Sequence, residues 1–328
     1  MSWLLVELLG DKPTIIADGD RARSSRSLHS YLRGQELAAV RHAVQDAQRT
    51  GEPGQITESG RTVRTLPVCG PSGQVLGVQV WSAGDPGSPP APPRVAASEW
   101  DLTDPSVPPT TRWTTQFRTL YGVLDDRGAD EPFGLADFFS RIPNVGEVTR
   151  AMHDVSHRAA DSVFVNEFIA RHDDGAARVI RSTRRAVRVG ERTLLRGMDQ
   201  DITSAEPETL HLGTVDHDIA ALSLRRWGAD GVIVDLRHGT AIAWITPVPH
   251  GVLDREVAGG VRPLLHATDR AALIDVLRAR ASASAQARVR TGQGWSRRTV
   301  HVDRVPGYGD AHAALLVIPP VETSGDAP

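Results

Sequence analysis

His172-Asp173-Asp174-Gly175-Ala176 and Val189-Gly190-Glu191-Arg192 are two sharp breaks set among three runs rich in Val, Ile, Phe and Leu. Asp, Gly and Glu clusters of this kind supply left-handed or tightly turning backbone, so each break reads as a hairpin turn. The flanking runs, 162–171, 177–189 and 193–201, are then three consecutive antiparallel strands. Upstream, Glu99 to Leu102 and Thr110 to Thr114 are short strand candidates, Thr115 to Tyr121 opens a helix, and Val145 to Ala159 carries Val148, Met152 and Val155 on one helical face. Two strands, a helical stretch and three closing strands describe a small α+β unit.

The same order recurs on both sides. Upstream, Leu4 to Leu9 and Thr14 to Ala17 precede a helix over 36–49 with Leu37, Val40 and Val44 on one face. The strands Thr62 to Val68 and Gln74 to Trp81 follow, across the turn Gly70-Pro71-Ser72-Gly73. Downstream, Gly231 to Asp235 and Ala241 to Thr246 form a hairpin across Arg237-His238-Gly239. Asp269 to Arg280 is helical, and 285–291, 296–304 and 313–318 close the segment. A repeat of this length exceeds the roughly 20–50 residues of a solenoid unit and suits tandem copies of one small domain. Asp85-Pro86-Gly87-Ser88-Pro89-Pro90-Ala91-Pro92-Pro93 lacks backbone donors and predicts an extended linker. The expected boundaries are a first domain over 1–84, linker 85–95, a second domain over 96–205, a linker helix within 206–228, a third domain over 229–320 and a frayed tail at 321–328. Asp216 is expected to cap the linker helix, which carries Ile219, Leu222 and Trp227.

Composition narrows the function. With 40% hydrophobic and 23% charged residues the chain is ordinary globular protein, and a net charge of −3 offers no footprint for nucleic acid. No apolar run approaches the roughly 18 residues of a spanning helix, and Glu7 interrupts the apolar start before any signal-peptide pattern forms. The reading is a cytoplasmic protein with neither membrane nor nucleic-acid partner. Cys69 is the only cysteine, which excludes an internal disulfide or zinc ribbon. Lys12 is the only lysine among 37 Lys and Arg residues, a skew that resembles proteins of high-GC bacteria such as actinobacteria. It rules out a phosphate-binding Gly-Lys loop, since Lys12 sits in a Gly-Asp-Lys-Pro turn. No Gly-x-Ser-x-Gly elbow occurs, and Gly259-Gly260 lacks dinucleotide spacing.

Particular residues of the middle segment resemble PAS domains. Ser98-Glu99-Trp100-Asp101-Leu102, Arg112-Trp113-Thr114-Thr115-Gln116-Phe117 and Leu120-Tyr121-Gly122 are similar to that family's opening strands and helix end. Gly197-Met198-Asp199-Gln200-Asp201-Ile202-Thr203 resembles its closing Gly and Asp-Ile-Thr. In the third segment Leu264-Leu265-His266-Ala267-Thr268-Asp269-Arg270 resembles the Leu-x-His-Pro-x-Asp-Arg turn before the last PAS helix, with Ala267 in place of proline. The first segment has neither motif and reads as a divergent PAS- or GAF-like domain.

The resemblance implies three tandem modules, each a five-stranded antiparallel sheet with helices on one face, enclosing a small pocket or a dry core. It implies a sensory protein without an output domain that binds a small ligand or a partner and signals by association to an unidentified downstream protein, with a homodimer as the default assembly. No enzymatic activity is expected.

Candidate pocket residues are Trp113, Phe117, Tyr121 and Phe139 in the middle segment, with Trp244 and Trp295 as counterparts in the third; core packing explains the same aromatics. Cys69 lies in a hairpin loop, away from the position that flavin photochemistry needs in this family. No cofactor is expected, with haem on His153, His157 or His266 as the alternative. His153 and His157 share a helix face, and His211, Asp216, His217 and Asp218 cluster, which leaves a metal-dependent enzyme as a third reading after sensor and solid-cored interaction scaffold. Ser24-Ser25-Arg26-Ser27 with Arg21, Arg23 and Arg33 reads as a surface loop with some capacity for an anion.

Overall fold

The computed structural model describes residues 2–84, 87–104, 106–124, 131–144, 148, 163–204, 214–248, 262–305 and 313–320. Alternating apolar positions build three antiparallel sheets. The first contains β1 (Leu4–Glu7), β2 (Thr14–Asp18), β3 (Arg21–Ser27), β4 (Gly54–Glu58), β5 (Arg61–Cys69) and β6 (Val75–Ala83), in the order β3-β2-β1-β6-β5-β4. Between β3 and β4 run α1 (Leu28–Tyr31) and α2 (Gly34–Thr50). The Ser27 hydroxyl caps α1 by accepting from the Ser30 amide, and Gly51 ends α2 in the left-handed conformation with its N–H on the Ala47 carbonyl. Ala39, Val40, Ala43, Val44 and Ala47 recur at helical spacing and bury α2 against Val6, Ile15, Val63, Val78 and Val80.

The second sheet holds β7 (Val95–Asp101), β8 (Thr110–Trp113), β9 (Val163–Arg171), β10 (Ala177–Val189) and β11 (Arg192–Asp201), ordered β8-β7-β11-β10-β9. The third holds β12 (Asp230–Asp235), β13 (Thr240–Trp244), β14 (Ser282–Thr291), β15 (Gly294–Arg304) and β16 (Ala313–Ile318), ordered β13-β12-β16-β15-β14. Numbered within each sheet, both orders are second-first-fifth-fourth-third, so the repeat read in the sequence extends to strand connectivity. The remaining described helices are α3 (Thr115–Leu120), α4 (Leu135–Phe139), α5 (Thr214–Arg226) and α6 (Ala267–Ala279).

Contacts divide the chain into two units. One comprises Met1–Thr103, Arg112–Glu131 and Arg158–Leu210; the other comprises Asp104–Thr111, Pro132–His157 and His211–Pro328. Within the first unit, Leu5, Ile16, Ala17, Val68 and Leu76 of the first sheet pack against Ala97 and Met198 of the second. Gly77 is what lets the sheets close: a Cβ there would lie 2.4 Å from Met198 Sδ and 2.8 Å from the Val6 carbonyl. Within the second unit, α4 packs on β13, Ala136 joins the core of the third sheet, and Ser140 Oγ accepts from the Trp244 amide at 2.9 Å.

Several expectations are corrected in detail. The Arg-Ser stretch over 21–27 is an edge strand, because it pairs with β2 in register; Arg23 is committed to Asp18 at 3.0 Å. β4 has no apolar alternation and was not legible. The proline segment is docked: Trp3 Nε1 donates to Pro90 O and Gln79 Nε2 to Pro93 O, both at 2.8 Å. The helix α5 spans Thr214–Arg226, which places Asp216 within it. Its Leu222 and, just past its end, Trp227 are 59% and 72% exposed, while Ala221 and Leu224 are buried. The expected helix over 145–159, with His153 and His157, lies outside the described residues, as do His211, Gly259, Gly260 and the tail.

Candidate functional site

The site is built by strand alternation in β10 and β11. Register pairs Ser182 with Asp199 and Arg184 with Gly197, while β7 sets Ser98 opposite Gly197 and Ala96 opposite Asp199. Directly paired residues share a face, so Ser98, Ser182, Arg184 and Asp199 project together from one side of the sheet. Arg184 is 5% exposed and Asp199 is 0% exposed. Arg184 Nη2 donates to both Asp199 carboxylate oxygens at 3.1 and 2.9 Å, and Nη1 to Ser98 Oγ at 2.8 Å. From α3, Tyr121 OH donates to Asp199 Oδ2 at 2.6 Å.

Gly197 creates the space for this arrangement, since a Cβ there would meet Arg184 Nη1 at 2.6 Å and Cγ at 2.7 Å. Ser182 is 3% exposed and its hydroxyl has no hydrogen-bond partner. A buried polar atom without a partner marks a place that water or a ligand atom normally fills.

The aromatic residues anticipated from the sequence lie on the same side. Thr114 Oγ1 caps α3 by accepting from the Phe117 amide, which orients Phe117 and Tyr121 one helical turn apart. Phe117 and Tyr121 stack at 4.5 Å, and Trp113 lies 5.1 Å from Phe117 and 6.3 Å from Tyr121. Of the other predicted residues, Phe139 is buried in the second unit, edge-on to Phe138 at 5.0 Å. Trp244 is in the core of the third sheet, with Nε1 buried and unpartnered. Trp295 is 39% exposed, with the Arg290 guanidinium 4.4 Å above its ring. His266 caps α6 by accepting from the Thr268 amide and packs edge-on to Trp295 at 5.2 Å. Thus Trp113, Phe117 and Tyr121 come together, while Trp244 and Trp295 belong to the third sheet.

Sequence reading missed Ser98, Ser182, Arg184 and Asp199. The available signal was a glycine, Gly197, inside a long strand, with an arginine and an aspartate at positions where alternation calls for apolar side chains.

The opposite face of the sheet carries a second set of buried charges. Arg185, adjacent to Arg184, turns the other way and donates to Glu7 of β1 at 2.7 Å; Thr14 Oγ1 also donates to Glu7, at 2.8 Å. Glu99 accepts from the Ser72 amide at 2.9 Å, the Ser72 hydroxyl at 2.5 Å and Arg196 Nε at 3.0 Å. Burial alone would raise the Glu99 carboxyl, but Ser72 and then Arg196 hold it below its ordinary value. β10 and β11 therefore carry interior charges on one face and sheet-to-sheet charges on the other. In the third sheet Asp235, fully buried, accepts from the Arg237 amide at 2.8 Å and pairs with His238 Nδ1 at 2.8 Å. Burial raises the Cys69 thiol and Glu52 raises it further, which favours the inert protonated form. Among the described residues, no three His, Cys, Asp or Glu side chains are grouped to hold a metal ion. No described helix is long and apolar enough to cross a membrane.

The family model described as Rv3651-like, N-terminal matches residues 2–92. The crystal structure of an uncharacterised protein from Mycobacterium tuberculosis matches over 98% of this chain and 97% of that chain, with a TM-score of 0.74 and 25% identity. That protein shares this fold. A sensory box histidine kinase/response regulator from Burkholderia thailandensis matches 40% of this chain and 87% of its own, with a TM-score of 0.23 and 18% identity. An RNA-binding Light-Oxygen-Voltage receptor matches 68% and 94%, with a TM-score of 0.27 and 9% identity. No curated protein matches the chain.

Proposed function

We propose that this chain is a sensory or regulatory protein of high-GC bacterial origin, built from three PAS-type modules. In this reading a small ligand acts on the interior of the second sheet, and association with a second copy or a downstream protein carries the signal, without catalysis. The carrying observation is the interior Arg184–Asp199–Tyr121–Ser98 cluster with the unpartnered Ser182 hydroxyl beside it. Apolar packing of the same volume is often as stable as a buried ion pair or more so, so the pair contributes specificity or switching better than it contributes stability. The adjacent arginines supply a route: rearrangement at Arg184 moves the strand that holds Arg185 on Glu7, and with it the contact between sheets.

An interaction scaffold with solid cores is the second reading, favoured by the close stacking of Phe117 on Tyr121, both fully buried. Native mass spectrometry of the freshly purified full chain separates the two. A retained small molecule, lost in Ser182→Ala or displaced with a change in oligomeric mass, supports the sensor; a bare chain with no thermal response to cell metabolite extract supports the scaffold. Light scattering tests the homodimer.

A further inference from the structure

We propose that the first unit carries a second ligand site, outside the sheet interior, that takes a small zwitterion: a free amino acid or short peptide. A cleft of about 600 Å³ opens where the β2–β3 turn, the proline segment and the end of β11 meet. It presents both signs of charge with bonding capacity unspent. Arg94 is exposed, and no described residue pairs with its guanidinium. Arg178 approaches Asp201 only at 3.9 Å, and its Nε is buried without a partner. Of the carboxylates, Asp201 uses Oδ1 to accept the Thr203 amide and hydroxyl and leaves Oδ2 to the distant Arg178. Among the described residues, Asp20 accepts only from Ser204 Oγ, at 3.2 Å.

Guanidinium donors and carboxylate acceptors with unspent capacity in one cleft suit a ligand with both a donor cation and an acceptor anion. An α-ammonium satisfies Asp201 and Asp20; an α-carboxylate satisfies Arg178 and Arg94. The prolines, lacking N–H groups, and the indole of Trp3 held on Pro90 form an apolar wall for a side chain.

The test is thermal shift and calorimetry on the full chain with each of the common amino acids and with short dipeptides, beside their N-acetyl and carboxamide forms. At least one zwitterion is expected to raise the unfolding midpoint by several degrees at millimolar concentration, and both blocked forms to lose most of that shift. Arg94→Gln, at an exposed position that leaves folding intact, is expected to weaken binding about tenfold, equivalent to about 1.4 kcal/mol. Asp201→Asn is expected to do the same. No response to any zwitterion overturns the proposal, as does an equal response to acetate or to the blocked forms.

Discussion

Replacing Arg184 by Met removes a buried guanidinium and leaves the Asp199 carboxylate at zero exposure, with Tyr121 OH as the remaining donor from this cluster. Breaking a buried pair from one side costs about 3–5 kcal/mol, because the surviving charge stays desolvated. For a unit of this size each kcal/mol moves the midpoint by about 2–4 °C, so the expected loss is roughly 6–20 °C. Replacing both partners, Arg184→Met with Asp199→Leu, removes both desolvation costs and is expected to recover most of that loss. The recovery stops short of complete because Tyr121 OH loses its acceptor and Ser98 Oγ its donor. Scanning calorimetry of the full chain, following the transition that carries the first unit, measures all three proteins. A single variant within about 1 kcal/mol of wild type, or a double variant as unstable as the single, would refute the closed interior pair.

Three further outcomes follow from the contact between the first two sheets. Glu99 is held below its ordinary value of 4.5, so its contribution is fully present above that pH and is lost as pH falls through the lower folded value. Glu99→Gln should be less stable than wild type at neutral pH and should show a flatter stability profile below about 4.5 in urea titrations. Gly77→Ala pushes a methyl against Met198 Sδ and the Val6 carbonyl, so a destabilisation of about 1–3 kcal/mol is expected in the same titrations; a neutral result would mean the sheets lie further apart. Trp3→Phe keeps the ring but deletes the hydrogen bond to Pro90 O, for an expected loss of about 1 kcal/mol; no change in midpoint would mean the proline segment is not fastened there.

The strands were legible where alternation and turn chemistry agreed. β10 and β16 have the bounds read from sequence; at β10 the Asp174-Gly175 and Gly190-Glu191 turns fix the ends. β3 and β4 were illegible because both are edge strands with exposed polar side chains, and what holds them is pairing with β2 and β5. The proline segment reads from sequence as an extended linker; that its carbonyls meet Trp3 and Gln79 is invisible to a composition argument. At the site, aromatic clustering pointed to Trp113, Phe117 and Tyr121. The polar half went unread because an arginine and an aspartate fifteen residues apart become neighbours only through the β10–β11 register.

The most direct test of a ligand-responsive interior is a high-resolution crystal structure of the full chain purified without denaturation. Non-protein density within hydrogen-bond reach of Ser182 Oγ, beside the Arg184–Asp199 pair, is the predicted result. A second sheet whose interior holds only its own side chains, with Ser182 Oγ bonded to one of them, would contradict the account.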